Sequence, residues 1–190
     1  MENQLQQAVN DKASPWVGRD TRAGLVNSQE ALERVQRLVE SAAETGVEHA
    51  VCYIDLDDFR RINERGGWDA GDWVLSEVGA RLHRHVRPGD TIARMGSDEF
   101  AVIMKRTPLL DAILVARAIR DDLAGWRFVC GKEECALAVS VGVVPIVRDS
   151  SDAVEVLAAA DAASRAAREG FPRRLRVAAG RGTLRIQSAA

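Results

Sequence analysis

Apolar residues recur along the chain at two different periods, and the change from one period to the other predicts a mixed α/β fold. Helical spacing begins after Asn27 or Ser28, either of which can cap a helix, and Gly46 is placed to end it. The next run, His49–Asp55, is β-branched and aromatic and too short for a helix. It predicts a buried central strand.

The rest of the chain continues as helices and hairpins. The further elements predicted are a short helix over Phe59–Arg65, a long helix marked by Val74 to Val86, hairpin strands Thr91–Met95 and Phe100–Met104, a helix with Pro108 in its first turn, a second hairpin of Trp126–Cys130 and Cys135–Val141 around Gly131–Glu134, a helix capped by Ser150 or Ser151 that runs to about Arg168, and a ribbon of Leu175–Val177 with Leu184–Ile186. Because hairpins are interspersed with helices, the fold class predicted is α/β, with a mainly antiparallel sheet surrounded by helices.

Composition narrows the classes of function. The chain has 190 residues and a net charge of -2, so it has no bulk attraction to nucleic acid. No apolar run approaches the roughly 20 residues of a membrane span. Three cysteines in no zinc-binding pattern indicate a reducing, cytoplasmic setting. Cys130 and Cys135, which face each other across the predicted turn, are expected to remain thiols.

Carboxylates collect at the ends of two predicted strands. Asp55, Asp57 and Asp58 come where the first strand ends, and Asp98 and Glu99 lie in the tip of the first hairpin. In a mainly antiparallel sheet these two ends can lie side by side. Hard cations such as Mg²⁺ bind carboxylate and phosphate oxygens. Carboxylates on two neighbouring strand ends are therefore typical of metal-assisted phosphoryl chemistry. The alternative is that the acidic residues only solubilise the strand ends.

Asn63 and Asp72 flank a glycine-rich turn, GGWDAGD. Asn offers a donor and an acceptor and Asp offers acceptors, a combination that suits the edge of a guanine base. The alternative is that both are turn and cap residues, with Asp69 or Asp72 capping the following helix.

Five ordered motifs carry a family resemblance that covers residues from about 20 to 177. They are DTRAGLVN (20–27), IDLDDFRRINERGGWDAGD (54–72), RPGDTIARMGSDEF (87–100), VSVGV (139–143) and AADAASRAAR (159–168). Together they resemble the GGDEF domains, diguanylate cyclases that make cyclic di-GMP from two GTP. The segment from Trp126 to Ile146 is most similar to GGDEF domains that precede an EAL phosphodiesterase domain. The resemblance implies a central, mainly antiparallel five-stranded sheet.

The resemblance also implies a role for each matching residue. Mg²⁺ or Mn²⁺ would be held by Asp55, Asp98, Glu99 and the Leu56 carbonyl, and Asp98 and Glu99 would be the catalytic pair, with Glu99 either binding the metal or deprotonating the ribose 3′-hydroxyl. Guanine would be read by Asn63 and Asp72. The phosphates and the rest of the substrate would contact Asp58, Phe59, Arg60, Gly96, Ser97 and Arg168. Product cyclic di-GMP would bind an inhibitory R-x-x-D site, Arg87 and Asp90, for which the alternative is a turn salt bridge.

The sequence departs from the family at several positions. Ser97 replaces the second glycine of the signature, which would cost roughly 1–2 kcal/mol if that position needs a positive φ. Arg60 replaces a lysine, and Pro172 stands where the family has a phosphate-binding arginine, which Arg173 or Arg174 would have to replace. Two functions are therefore carried forward: a cyclase that acts as a homodimer, and a degenerate module that binds GTP or cyclic di-GMP and regulates a partner.

The domain organisation expected is a linker or helical extension over residues 1–18, a GGDEF domain over 19–178 and a tail over 179–190. Sensor or EAL domains in a larger protein are the partners expected. No contact with nucleic acid or a membrane is expected from this segment.

Overall fold

A computed structural model describes residues 24–169 and 175–178, which build a six-stranded sheet, a separate two-stranded hairpin and four helices. The linker over 1–18, the ribbon strand Leu184–Ile186, the tail and Pro172 with its neighbours Arg173 and Arg174 lie outside the described residues, and the predictions for them stay predictions.

The elements follow one another along the chain as alternating short blocks of helix and strand. In order they are β1 (Val26–Asn27), α1 (Ser28–Thr45), β2 (His49–Asp57), α2 (Phe59–Leu82), β3 (Thr91–Arg94), β4 (Glu99–Met104), α3 (Leu109–Gly125), β5 (Arg127–Cys130), β6 (Glu133–Ala136), β7 (Ala138–Ile146), α4 (Ala153–Glu169) and β8 (Leu175–Val177).

The main sheet has the strand order β1-β3-β4-β2-β7-β8. Its central pairings, β3 with β4, β4 with β2 and β2 with β7, are antiparallel, and only the pairs at the two edges are parallel. The predicted α/β class with a mainly antiparallel sheet is confirmed. The sheet has six strands rather than the five expected, because the two-residue β1 adds to the edge beside β3.

The central strand β2 is buried along its whole length because helices cover both faces of the sheet. Alternate residues of β2, such as Cys52 and Ile54, point to one face of the sheet and pack into the cluster formed by α2 and α3. The residues between them, such as Val51 and Tyr53, point to the opposite face and pack under α1 and α4. The continuous apolar pattern of His49–Asp55 follows from this double burial.

The helix ends show which capping predictions were right. The Asn27 side chain accepts a hydrogen bond from the backbone N–H of Glu30, and Gly46 ends α1 with a left-handed φ of 74°. At α4 the cap is Asp152, whose side chain accepts from the Glu155 N–H, so the prediction of Ser150 or Ser151 was wrong. Pro108 is the N-cap of α3 instead of lying in its first turn.

Two other boundaries differ from prediction. The helices predicted on either side of Gly66 and Gly67 form one element, α2, which is broken at Gly67 where φ is 78° and ψ is 173°. The predicted strand Cys135–Val141 is two strands, since Leu137 separates β6 of the small hairpin from β7 of the main sheet. Apolar residues continue across that junction, so periodicity alone could not place it.

The small hairpin packs against the break in α2. Cys130 is paired in register with Glu133, and Cys135 with Phe128, so the turn is two residues rather than the four predicted. Both cysteines are free thiols, as predicted. The Cys130 thiol donates to the Ile62 carbonyl at 3.3 Å, which ties the hairpin to the first half of α2.

Among the described residues no helix is both long and apolar enough to cross a lipid bilayer.

Candidate nucleotide and metal site

The register of the sheet brings together the carboxylates that the sequence places at two strand ends. Asp55 near the end of β2 is paired with Glu99 at the start of β4. The backbone N–H of Leu56 donates to the Asp98 carbonyl at 3.1 Å, which fixes the hairpin tip beside β2. The predicted juxtaposition is therefore present in the fold.

Asp55 is only 7% exposed, in a region of concentrated negative charge. Burial raises its pKa to about 6; the Arg168 guanidinium opposes the rise, and the nearby Asp98 and Glu99 carboxylates add to it. A buried carboxyl surrounded by others gains most from a cation beside it.

Arg168 brings a positive charge to these carboxylates. Its guanidinium forms an ion pair with Asp55 and donates to Asp57 from Nε at 2.7 Å. Asp57 also accepts from the Ser140 hydroxyl at 2.9 Å. The sequence predicted Arg168 for phosphate, and in the structure its side chain lies on the carboxylates. Asp57 was grouped with the strand-end carboxylates but given no role of its own, and Ser140 was not predicted as a site residue, although both lie within the recognised motifs.

The other two carboxylates each accept a hydrogen bond from a neighbouring hydroxyl. The Ser97 hydroxyl donates to Asp98 at 2.6 Å, and the Tyr53 hydroxyl donates to Glu99 Oε2 at 3.1 Å. Within residues 24–169 and 175–178, no three His, Cys, Asp or Glu side chains form a ready cluster for a metal ion. The donor set fits a hard cation in its chemistry, since it consists of oxygens alone, and the Arg168 ion pair engages Oδ1 of Asp55.

Ser97 does not carry the strain expected from its replacement of glycine. Asp58 and Arg106 are the non-glycine residues with positive φ among those described, and Ser97 is not one of them. The condition for the penalty, a positive φ at this position, is therefore not met. The close approach is at Gly96 instead, where an added Cβ would lie 2.7 Å from Glu99 Oε2.

Tyr53 is a contact of the site that sequence reasoning missed, because its place in an apolar strand indicated core packing alone. Its ring is buried among the residues under α1 and α4. Burial raises the pKa of its hydroxyl, and nearby Glu99 raises it further, so the group stays protonated and acts as a donor. The hydrogen bond therefore fixes the orientation of the Glu99 carboxylate.

The variant Tyr53→Phe should fold with a loss of about 0.5–1.5 kcal/mol, the usual value of one hydrogen bond. We expect its nucleotide turnover to fall while its affinity for GTP stays unchanged, because Glu99 loses one of the contacts that orient it and the predicted guanine residues are untouched. Steady-state kinetics with a denaturant titration would check this. An unchanged turnover would show that Glu99 does not need the tyrosine.

The predicted guanine residues lie on α2, on either side of its break. Asn63 Oδ1 is buried and has no hydrogen-bond partner in the described chain, while Asp72 is exposed. A Cβ on Gly71 would overlap the Asn63 side-chain oxygen, so the glycine provides the space that this side chain occupies. A buried acceptor without a partner is costly unless a ligand supplies the donor.

The turn between β2 and α2 is strained at Asp58, which has a φ of 53° and makes no side-chain cap. Strain of this kind persists where the fold holds it and is frequent at ligand sites. The first-turn N–H groups of α2, near Phe59, are the donors that a phosphate accepts at a helix N-terminus. The Arg60 side chain, predicted for phosphate, forms an exposed pair with Glu64 at 2.8 Å.

Arg87 and Asp90 lie at the end of β3 remote from Asp98. The Asp90 carboxylate is 7% exposed and accepts from the backbone N–H groups of Arg87 and Lys105, at 3.1 and 3.0 Å. Arg87 donates to the Thr107 hydroxyl at 2.8 Å, and its side chain is 64% exposed. Arg87 can therefore reach a ligand, whereas Asp90 holds the turn.

The edge of the sheet that carries Asp55, Asp98 and Glu99 is called the carboxylate edge below. Solved structures of GGDEF domains share this fold. The GGDEF domain of DgcB from Caulobacter crescentus, in complex with c-di-GMP, has a TM-score of 0.76 and 26% sequence identity, over 87% of this chain and 99% of that one. SiaD of Pseudomonas aeruginosa, a diguanylate cyclase in complex with its activator SiaC, has a TM-score of 0.77 and 28% identity, over 93% of this chain and 68% of that one.

Sequence comparison gives the same result. The family model "Diguanylate cyclase, GGDEF domain" matches residues 17–172. The chain therefore belongs to the GGDEF family, as its motifs predicted.

Curated relatives are longer than this chain. The response regulator PleD of Caulobacter vibrioides is 37% identical over 126 residues, which cover 65% of this chain and 28% of PleD. The diguanylate cyclase DgcP of Escherichia coli K12 is 31% identical over 144 residues, 76% of this chain and 42% of DgcP. The chain thus spans less than half the length of either.

Proposed function

We propose that this domain condenses two molecules of GTP into cyclic di-GMP, with one GTP held by each subunit of a homodimer. The observation that carries the proposal is the carboxylate edge, where Asp55 is buried beside Asp98 and Glu99. Folding alone does not require carboxylates to be placed together in this way. Burying carboxylates together costs stability unless positive charge lies beside them, from a side chain such as Arg168 or from a bound cation.

Asp55, Asp98, Glu99 and the Leu56 carbonyl would hold Mg²⁺ or Mn²⁺, which when bound neutralises phosphate charge and lowers the pKa of an attacking hydroxyl. Asn63 and Asp72 would orient the guanine. The first-turn N–H groups of α2 would receive the terminal phosphates. Glu99, held by Tyr53 at 3.1 Å, would accept the proton of the ribose 3′-hydroxyl.

Arg168 has a place in this scheme because it pairs with Asp55 and Asp57. When a cation takes its place on Asp55, the guanidinium would become available for a phosphate of the same nucleotide. Its retained bond to Asp57 keeps it beside the site. This exchange reconciles the predicted phosphate role of Arg168 with its observed position.

The direct test is incubation of the chain with GTP and Mg²⁺, followed by chromatographic separation of the nucleotides. Cyclic di-GMP is the product expected. The matched variant Asn63→Ala should weaken GTP binding by about tenfold or more, because it removes the buried acceptor. Absence of any cyclic di-GMP at high protein and GTP concentrations would overturn the cyclase proposal.

A second function, a regulatory module that binds GTP or cyclic di-GMP without synthesis, has one observation in its favour. The carboxylates are engaged by Arg168 and by the Ser97 hydroxyl, and three of them form no ready metal cluster in the described chain. GTP binding by calorimetry without product formation would support this function over the first.

Regulation by product gives a further prediction. We expect Arg87→Ala to weaken cyclic di-GMP binding about 30-fold, because an exposed guanidinium is lost from the ligand contact. Asp90→Ala should instead lower stability by about 1–3 kcal/mol, since the backbone N–H groups of Arg87 and Lys105 lose their acceptor. Calorimetry and thermal unfolding of the two variants would separate these effects. If Arg87→Ala binds cyclic di-GMP as well as wild type does, the R-x-x-D motif is only a structural turn and not a ligand site.

A further inference from the structure

Trp68 is the most exposed large apolar side chain among the described residues, at 78%. In the described part of the chain its ring contacts no other aromatic ring. Trp73, five residues further along α2, differs because its ring lies 5.5 Å from Trp126 and 6.1 Å from Phe128, measured between centroids. Packing within the fold therefore accounts for Trp73 and leaves the exposure of Trp68 unexplained.

The break in α2 determines where Trp68 lies. Gly67 has a φ of 78° and a ψ of 173°, and the helix resumes directly after it. Trp68 is therefore in the first turn of the second half of α2. Nothing lies within 4 Å of a Cβ added at Gly67, so the described fold leaves the space beside the break open.

The second half of α2 presents Trp68 on the side of the predicted guanine residues. A Cβ on Gly71 would lie 1.9 Å from Asn63 Oδ1, so the Gly71 side of this half faces Asn63. At 3.6 residues per turn, Trp68 lies about 60° around the helix axis from Gly71 and about 40° from Asp72. Trp68 is therefore attached between these two directions, one turn nearer the break.

An aromatic ring at this position complements the two hydrogen-bonding residues. Asn63 Oδ1 is a buried acceptor with no hydrogen-bond partner in the described chain, and Asp72 is an exposed carboxylate. Both accept from N–H donors, which guanine carries on its Watson–Crick edge. Contacts to that edge leave the two faces of the base open, and a tryptophan ring is a surface on which a base stacks.

We propose that Trp68 stacks on the base of the bound nucleotide and is a third binding residue of the guanine site. The inference rests on the proposed function, because it takes the position of the base from Asn63 and Asp72. The two kinds of contact have different tasks: the hydrogen bonds select guanine, and the ring of Trp68 adds affinity without reading the edge of the base. Trp68 takes no part in proton transfer.

Calorimetry with 3′-deoxy-GTP and Mg²⁺ tests the stacking, because this analogue has no 3′-hydroxyl to condense and its binding is measured without turnover. Trp68→Ala should weaken binding about tenfold or more, as removal of an aromatic ring from a stacked base does. Trp68→Phe keeps a ring and should bind within about threefold of wild type. A residue with a merely structural role would not separate these two variants by affinity alone.

Tryptophan fluorescence gives a second readout that does not depend on activity. The chain has four tryptophans, and saturating 3′-deoxy-GTP should quench part of the wild-type emission, because a stacked base quenches the indole that it contacts. That quenching should disappear in Trp68→Phe, although this variant still binds. The matched control is Trp73→Phe, the same substitution on the same helix, in which the quenching should remain.

The outcomes separate the stacking from the site itself. Thermal unfolding of Trp68→Ala should lie within about 2 °C of wild type, because the side chain is exposed. Unchanged affinity in Trp68→Ala, or equal quenching in Trp68→Phe and wild type, would overturn the stacking and leave the GTP site in place. A wild type that binds no 3′-deoxy-GTP would overturn the nucleotide site and the stacking together.

Discussion

The Asp98→Asn variant should lose cyclic di-GMP synthesis by at least about 1000-fold, the equivalent of the several kcal/mol that metal-assisted charge stabilisation contributes. Asn keeps the shape of the side chain and an oxygen that can accept from the Ser97 hydroxyl, now at 2.6 Å from Asp98. The hairpin is also held by backbone bonds, Leu56 N–H to the Asp98 carbonyl at 3.1 Å and Met95 N–H to the Glu99 carbonyl at 2.8 Å. Only the charge is removed.

Product chromatography after incubation with GTP and Mg²⁺ measures this loss. The control is Asp69→Asn, the same substitution at an exposed carboxylate on α2, which should keep wild-type activity. Both variants should unfold within about 0.5 kcal/mol of wild type, as surface substitutions do. Synthesis retained by Asp98→Asn would remove this carboxylate from the mechanism.

The Gly142→Ala variant should be the most destabilised single substitution considered, by about 3 kcal/mol or more, at the upper end of overpacking costs. A Cβ on Gly142 would lie 2.5 Å from the backbone nitrogen of Ser164 and closer still to the Ala160 carbonyl. These are backbone atoms of α4, so no side-chain rotation can relieve the overlap. The helix must move away from β7.

Thermal and denaturant unfolding would measure the effect, with a fall in midpoint of about 2–4 °C per kcal/mol expected for a chain of this size. Gly125→Ala is the matched control, because nothing lies within 4 Å of an added Cβ there, and it should change stability by less than about 1 kcal/mol. Equal midpoints for the two variants would contradict the close contact between α4 and β7. Because α4 carries Arg168, the first variant should also disturb the carboxylate edge.

Sequence patterns were sufficient where one physical requirement dominates. The continuous apolar run of β2 follows from burial on both faces. The Asn27 side chain can accept from the first turn of a helix, and Gly46 can take the left-handed φ at which a helix ends. Prediction failed at Leu137, where an apolar residue joins two strands of different sheets, and at Asp152, which competed with two serines for the same cap. Local composition does not distinguish these alternatives.

The candidate site shows the same division. The motifs identified Asp55, Asp98 and Glu99, and the register Asp55 to Glu99 brings two of them together. The contacts of Tyr53 and Arg168 could not be read from the sequence, because each depends on a side chain from another part of the fold reaching this edge. Long-range contacts of this kind require the three-dimensional packing.

The pairing of β2 with β7 has a consequence for how the chain acquires its structure. His49 pairs with Ile146, so two adjacent strands at the centre of the sheet are separated by about a hundred residues of sequence. Such non-local pairings slow folding, because loop closure must precede the contacts that reward it. On the ribosome, β2 and the helices around it would be made well before β7, with one backbone edge of β2 exposed meanwhile. The main sheet should therefore remain incomplete until residue 146 has left the exit tunnel.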